Sequence, residues 1–178
     1  MINVLIADDN IFFATALMNH INKNNDNIRV YSIAVDGLST LKILNDKRNI
    51  DILLLDLIMP KCNGYKVLDH LKNKSKYEKS CIVISGHIEN YDKILSNPSV
   101  YAIIQKGNNI DKYIEIINNL IREKYTLKRE KILKSKILKE LQYLGYDIAH
   151  KGTKYLLSAI IFVIFHPKLE LNNLEKVV

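Results

Sequence analysis

Short apolar runs and longer mixed segments alternate along the first 121 residues of the chain. The short runs are rich in Val, Ile and Leu, and none exceeds seven residues. Runs of this kind are typical of strands that are buried on both faces of a parallel sheet. The pattern predicts strands over residues 2–7, 28–34, 51–55, 80–85 and 101–105.

The longer segments between these runs have the periodicity of helices. We predict helices over residues 11–23, 37–46, 65–74 and 89–96, and a fifth that begins at Ile110. One face of the fifth helix is apolar, through Ile110, Ile114, Ile117 and Ile121. Alternating strands and helices of these lengths predict an α/β fold, a (βα)5 doubly wound parallel sheet.

Five polar residues lie where predicted strands end. Because ligands of such sheets bind outside the carboxyl ends of the strands, these positions mark a candidate site. The five residues are Asp8, Asp9, Asp56, Ser85 and Lys106. Any one of them could be an ordinary loop residue, but five at one edge favour a functional site.

The composition of this cluster indicates phosphoryl chemistry. Clustered carboxylates repel one another unless a cation lies among them, and oxygen ligands favour Mg²⁺. Lys106 supplies a positive charge and Ser85 a hydroxyl donor. Asp56 could then attack phosphorus, with the charge of the resulting aspartyl phosphate neutralised from both sides.

Four short motifs, in order along the chain, resemble those of a two-component response-regulator receiver domain. They are "IADDN", "LLLDLIMPKCNG", "VISGH" and "IIQKG". The resemblance covers about residues 1–122 and implies a flavodoxin-like fold for that domain. It also implies that the chain accepts a phosphoryl group on Asp56 and is not an enzyme, although it could slowly hydrolyse its own phosphoryl group.

The resemblance further assigns a role to each residue of the cluster. Asp9, Asp56 and the backbone carbonyl of Ile58 would hold Mg²⁺, or another divalent cation such as Ca²⁺ or Mn²⁺, and Asp8 would contribute through water. The Ser85 hydroxyl would turn toward the phosphoryl group, and Lys106 would be the salt-bridge partner of that group. The group would come from a histidine of a partner, either a histidine kinase or a phosphotransfer protein.

Three positions depart from the pattern of the family. Gly107 stands where the family usually has a proline after its lysine, and Gly86 stands where it usually has alanine. Ile103 occupies a position that is commonly aromatic. None of these changes removes a carboxylate, the hydroxyl or the ammonium, but they leave open an interaction module that no longer turns over phosphate.

The basic excess of the chain lies in its last third. Residues 122–178 carry 12 Lys and Arg against 6 Asp and Glu, whereas residues 1–121 are nearly balanced. Charge of this density suits a solvated helix or an approach to a polyanion. We therefore predict a basic linker over residues 123–134, followed by a small all-α segment.

The segment 135–178 is predicted to be a partial helical effector domain. The stretch "LKELQYLGYDIAHKGTKYLLSAI" (138–160) resembles the DNA-binding effector domain of sporulation-initiation regulators. One helix should end near Gly145, and a second should begin after Gly152 with Thr153 as its cap. Within it, "YLLSAIIFVIF" is too short to span a bilayer, so we expect a buried core helix.

If the receiver site works, two outputs remain open from the sequence. The first is a phosphorylation-activated regulator of transcription, of the type that initiates sporulation. The second is a truncated relay or decoy protein that accepts phosphoryl groups without specific DNA binding, since no recognition helix is apparent. A homodimer is a further option. The N-terminus has neither the basic region nor the apolar run of a signal peptide, so we expect a cytoplasmic protein without a membrane anchor.

Overall fold

The chain forms a five-stranded sheet in which every neighbouring pair of strands is parallel. A computed structural model describes residues 1–23, 27–46, 49–107 and 110–166, with the backbone alone described for residues 110–112. The strand order is β2-β1-β3-β4-β5. The strands are β1 (Ile2–Ala7), β2 (Ile28–Ala34), β3 (Ile52–Leu55), β4 (Cys81–Ser85) and β5 (Val100–Gln105).

Helices follow the strands in the alternation that the sequence predicts. They are α1 (Ile11–Lys23), α2 (Gly37–Asn45), α3 (Gly64–Leu71), α4 (Tyr91–Leu95), α5 (Ile110–Tyr143) and α6 (Lys151–Phe165). A short 3₁₀ turn, Ser75–Tyr77, precedes β4. The predicted (βα)5 parallel sheet, with helices after it, is therefore confirmed.

Apolar side chains fill both faces of the sheet. Residues of α1 and α5 pack on one face, and residues of α2, α3 and α4 pack on the other. On the predicted apolar face of α5, Ile117 and Ile121 are buried and Ile114 is half-buried. The side chain of Ile110, the first member of that face, lies outside the described residues. Burial on both faces explains why the strands read as continuous apolar runs.

The chain divides into two compact units, Met1–Tyr125 and Thr126–Val178. The predicted linker, residues 123–134, lies inside α5 and is helical along its whole length. The predicted effector segment, residues 135–178, includes the end of α5 and all of α6, and its part beyond residue 166 lies outside the described residues. The predicted domain boundaries stay predictions.

The end of α5 agrees with the sequence pattern, whereas the start of α6 departs from it. After α5, Gly145 has a φ of 87°, which glycine adopts without strain, and the amide of Tyr146 donates to the carbonyl of Leu141 at 3.0 Å. At the start of α6 the cap is His150, whose ring nitrogen accepts from the amide of Gly152 at 3.2 Å. The prediction of Thr153 as the cap is wrong.

The prediction that α6 is a buried core helix is also wrong. Among its side chains, Thr153 and Leu157 are buried, while Phe162, Val163 and Ile164 are between 48% and 60% exposed. A helix that is apolar on all faces needs neighbours on all faces. Within the described part of the second unit, the end of α5 is the one other helix, so it covers a single face of α6. No described helix is long and apolar enough to cross a membrane.

Candidate functional site

The carboxyl ends of four strands bring the predicted polar residues together. Asp8 and Asp56 follow β1 and β3, which are neighbours at the centre of the sheet. The amide of Asp56 donates to the carbonyl of Ala7 at 2.8 Å, so the carboxyl ends of the two strands lie side by side. Ser85 closes β4, and Lys106 follows β5. The sheet topology therefore places these side chains around one point.

The Asp56 carboxylate is buried, with 5% of the residue exposed, and both of its oxygens have partners. Its Oδ1 accepts from the Ser85 hydroxyl at 2.7 Å and from the amide of Ile58 at 3.1 Å. Its Oδ2 accepts from the ammonium of Lys106. A buried charge is costly unless it is paired and hydrogen-bonded, and these three contacts meet that requirement.

Lys106 bridges two carboxylates. Its Nζ lies 2.7 Å from Oδ2 of Asp8 and also contacts Asp56, and its side chain is 21% exposed. Burial by itself would lower the pKa of Lys106, but the bonds to Asp56 and Asp8 outweigh burial and raise it above the ordinary value. The ammonium also lies 4.9 Å from the centre of the Phe13 ring, an attractive cation–π distance. Lys106 is therefore a positive charge that these contacts fix in position.

Asp8 is almost fully buried, at 2% exposure. Burial raises the pKa of its carboxyl, and this outweighs the opposing contacts with Lys106 and with the amide of Asn10, which donates to Oδ1 at 2.9 Å. The nearby Asp56 carboxylate raises the pKa further. Asp8 as a carboxylate is thus under electrostatic strain that an additional cation would relieve.

The three carboxylates are arranged to share a cation. One oxygen from each of Asp8, Asp9 and Asp56 lies within 4.8 Å of the others. Asp8 and Asp56 are buried, whereas Asp9 faces solvent, so water could complete the ligand shell. Oxygen ligands open to water on one side fit Mg²⁺, which retains part of its hydration. The role of the Ile58 carbonyl as a fourth ligand stays a prediction.

The loop after Asp56 is shaped by contacts that the sequence analysis missed. Gly64 begins α3 against the backbone of Asp56, and a β-carbon built on it would lie 2.2 Å from the Asp56 carbonyl oxygen. On the same loop, Lys61 forms a 2.7 Å ion pair with Asp36, the cap of α2. The Asp-Gly pair at 36–37 was a detectable turn or cap signal, but the close approach at Gly64 depends on tertiary packing.

The raised pKa of Asp8 predicts the effect of neutralising it. A raised folded-state pKa means that the contribution of Asp8 to stability is complete at acidic pH and is lost as pH rises through that pKa. Without divalent cation, Asp8→Asn should therefore raise the melting temperature at neutral pH, and the gain should shrink toward acidic pH. Thermal unfolding across pH measures this. A variant less stable than the parent at neutral pH would contradict it.

Comparison with protein families identifies the family to which this fold belongs. The response regulator receiver domain family matches residues 4–118, well over half of the 178 residues. The chain belongs to this family, whose domains accept a phosphoryl group in two-component signalling. Domains of this family bind Mg²⁺ at an acidic pocket, and the carboxylate cluster of this chain corresponds to that pocket.

Curated relatives match the chain over part of their own length. A protein-glutamate methylesterase/protein-glutamine glutaminase of Methanospirillum hungatei is 29% identical over 85 residues, which cover 48% of this chain and 24% of that protein. The probable transcriptional regulator ycf29 of Porphyra purpurea is 24% identical over 121 residues, covering 67% and 56%. The chain thus spans about a quarter to a half of the length of these relatives.

Solved structures share the fold. The receiver domain of the Francisella response regulator 1452 is 24% identical with a TM-score of 0.59, and the match covers 69% of this chain and 98% of that one. The response regulator TrrA of Thermotoga maritima, solved with Mg²⁺ and BeF, is 24% identical with a TM-score of 0.56, covering 67% and 99%. At this identity the likeness concerns the fold.

Proposed function

We propose that this chain accepts a phosphoryl group on Asp56 from a histidine of a partner kinase or phosphotransfer protein. The supporting observation is that one buried carboxylate, at the end of the buried central strand β3, bonds both to a hydroxyl and to an ammonium. In-line phosphoryl transfer depends on positioning and on stabilising charge, and both are present at Asp56.

The roles of the other residues follow from their contacts. A carboxylate oxygen of Asp56 bonds to phosphorus as the phosphorus–nitrogen bond to the partner's histidine breaks, and the departing imidazole keeps that electron pair. A divalent cation held by Asp9 and Asp56, with Asp8 acting through water, would offset the negative charge of the phosphoryl oxygens. Lys106 and the Ser85 hydroxyl would bind those oxygens from the opposite side.

A mass measurement tests the acceptor function. The whole chain is incubated with a small acyl phosphate or phosphoramidate, with and without Mg²⁺, and its intact mass is recorded. We expect one phosphoryl adduct that requires the divalent cation. No adduct under any condition would instead support a receiver-like interaction module, the reading that Gly107 and Ile103 leave open.

For the output, we infer a phosphorylation-activated regulator of transcription, acting in the cytoplasm. The end of α5 supports this, because residues 122–139 carry eight Lys and Arg against two acidic residues, a charge that suits nucleic acid. The effector resemblance that the sequence predicts for residues 138–160 would imply the same output, but the family match, residues 4–118, does not reach that segment. One relative of the chain is a probable transcriptional regulator, which also favours this output. A homodimer is compatible with this role.

The architecture of the second unit favours an alternative, a relay or decoy protein without specific DNA binding. Its described residues form two helices with three buried side chains, Leu141, Thr153 and Leu157. A basic helix alone makes phosphate contacts that position a protein but do not read sequence. Base readout needs a helix or strand that enters a groove, and the described residues of the second unit supply no candidate beyond these two helices.

Selection from a pool of random DNA duplexes separates the two outputs. Duplexes that bind the phosphorylated chain are kept through several rounds of selection, and the bound pool is then sequenced. A transcription regulator should enrich one sequence pattern, and its binding should survive moderate salt better than binding to random duplex. Retention without enrichment, lost steeply with salt, would support the relay or decoy protein.

A further inference from the structure

The backbone that carries Lys106 has little constraint from its own sequence. Lys106 follows β5 directly, and Gly107 after it has a φ of 96°, a region that glycine enters freely. A lysine side chain has four rotatable bonds and is strongly flexible. The ammonium nonetheless lies against Asp56. Contacts from outside this segment must therefore fix the position of the Lys106 backbone.

The peptide group that joins Gln105 to Lys106 is held from two sides. Its N–H, the amide of Lys106, donates to the carbonyl of Ser85 at 2.8 Å. Its C=O, the carbonyl of Gln105, accepts from the hydroxyl of Tyr113 at 2.9 Å. β5 is an edge strand, so no strand of the described sheet bonds to its outer side, and a side chain of α5 takes that place.

Tyr113 is suited to hold this peptide group rigidly. Only 2% of the residue is exposed, and it is part of the apolar core on the α1 and α5 face of the sheet. A buried ring has few alternative rotamers, so its hydroxyl is a fixed donor. At the other end of the lysine side chain, the Phe13 ring lies beneath the ammonium at 4.9 Å. One aromatic residue, Tyr113, thus bonds to the backbone next to Lys106, and another, Phe13, contacts its ammonium.

We propose that Tyr113 is a positioning residue for the phosphoryl-acceptor site: its buried phenol fixes the Gln105–Lys106 peptide group, and thereby aims the Lys106 ammonium at Asp56. The proposal rests on the proposed function, in which Lys106 binds the phosphoryl group on Asp56. The hydroxyl of Tyr113 bonds to the carbonyl of Gln105 and not to a carboxylate of the site, so in this proposal it acts through Lys106 alone.

Tyr113→Phe tests the proposal because it removes only the hydroxyl. A matched control is Tyr77→Phe: Tyr77 is 3% exposed, and its hydroxyl donates to the carbonyl of Leu44 at 3.1 Å. Tyr77 precedes β4 and so lies near the amino-terminal ends of the strands, whereas the site lies at their carboxyl ends. The rate of phosphoryl incorporation from an acyl phosphate, at saturating Mg²⁺, should fall roughly threefold to tenfold for Tyr113→Phe and stay at the parent value for Tyr77→Phe.

The combination with Lys106→Gln distinguishes positioning from a general loss of structure. If Tyr113 acts through Lys106, then adding Tyr113→Phe to Lys106→Gln should not slow incorporation further. Equal slowing in both backgrounds, or a Tyr113→Phe rate equal to that of the Tyr77→Phe control, would overturn the proposal. A Lys106→Gln chain that incorporates phosphoryl groups at the parent rate would instead reject the role of Lys106 in the proposed function.

Discussion

Asp56→Asn is expected to abolish phosphoryl incorporation completely. The amide that replaces the carboxylate is not a nucleophile toward phosphorus and cannot form an acyl phosphate. The fold should survive, because the amide oxygen can still accept from Ser85 and from the amide of Ile58, as Oδ1 does in the parent. The intact mass after incubation with a small phosphoryl donor and Mg²⁺ measures the result.

An exposed carboxylate provides the matched control for this experiment. Asp69 lies on α3, is exposed, and is absent from the site cluster, so Asp69→Asn makes the same chemical change elsewhere. It should leave phosphoryl incorporation at the parent level. Labelling that persists in folded Asp56→Asn would reject Asp56 as the acceptor, and equal loss in both variants would point to an effect other than removal of the nucleophile.

The second large effect is expected for Gly64→Ala, on stability. A β-carbon at Gly64 would lie 2.2 Å from the carbonyl oxygen of Asp56 and 2.7 Å from the Cα of Leu57, and both atoms belong to the backbone. Backbone cannot rotate away as a flexible side chain can, so α3 or the Asp56 loop must shift. We expect a loss of about 3 kcal/mol in the free energy of unfolding, measured by denaturant titration.

Gly86→Ala is the matched control, since Gly86 also lies beside the site, directly after Ser85. A β-carbon there would meet no atom within 4 Å. Its free energy of unfolding should stay within about 1 kcal/mol of the parent value. If Gly64→Ala were as stable as Gly86→Ala, the close approach of α3 to the Asp56 backbone would be contradicted.

Much of the first unit could be predicted because its sequence pattern and its topology agree. β1, α1 and β2 have the bounds that apolar periodicity predicts, and strands buried on both faces leave few other interpretations. The rule that parallel strands meet at one edge was then sufficient to bring Asp8, Asp56, Ser85 and Lys106 together. These residues could be found because their positions depend on strand ends, which are local features of the sequence.

Other parts of the site depend on contacts that no local pattern encodes. Tyr113 looks like an ordinary core residue of a helix, and only the fold places its hydroxyl on the carbonyl of Gln105. Gly64 has the same character, since its constraint comes from the backbone of Asp56. The burial of α6 was predicted wrongly for a related reason: an apolar composition indicates a need for neighbours but does not supply them.

The most direct test of the central claim locates the phosphoryl group on the chain. Phosphorylated protein is treated with borohydride, which reduces an aspartyl phosphate to homoserine, and the peptides of a protease digest are then analysed by mass spectrometry. We predict homoserine at position 56 alone, formed only when donor and Mg²⁺ were both present. Homoserine at another aspartate, or a stable adduct without homoserine anywhere, would contradict Asp56 as the phosphoryl acceptor.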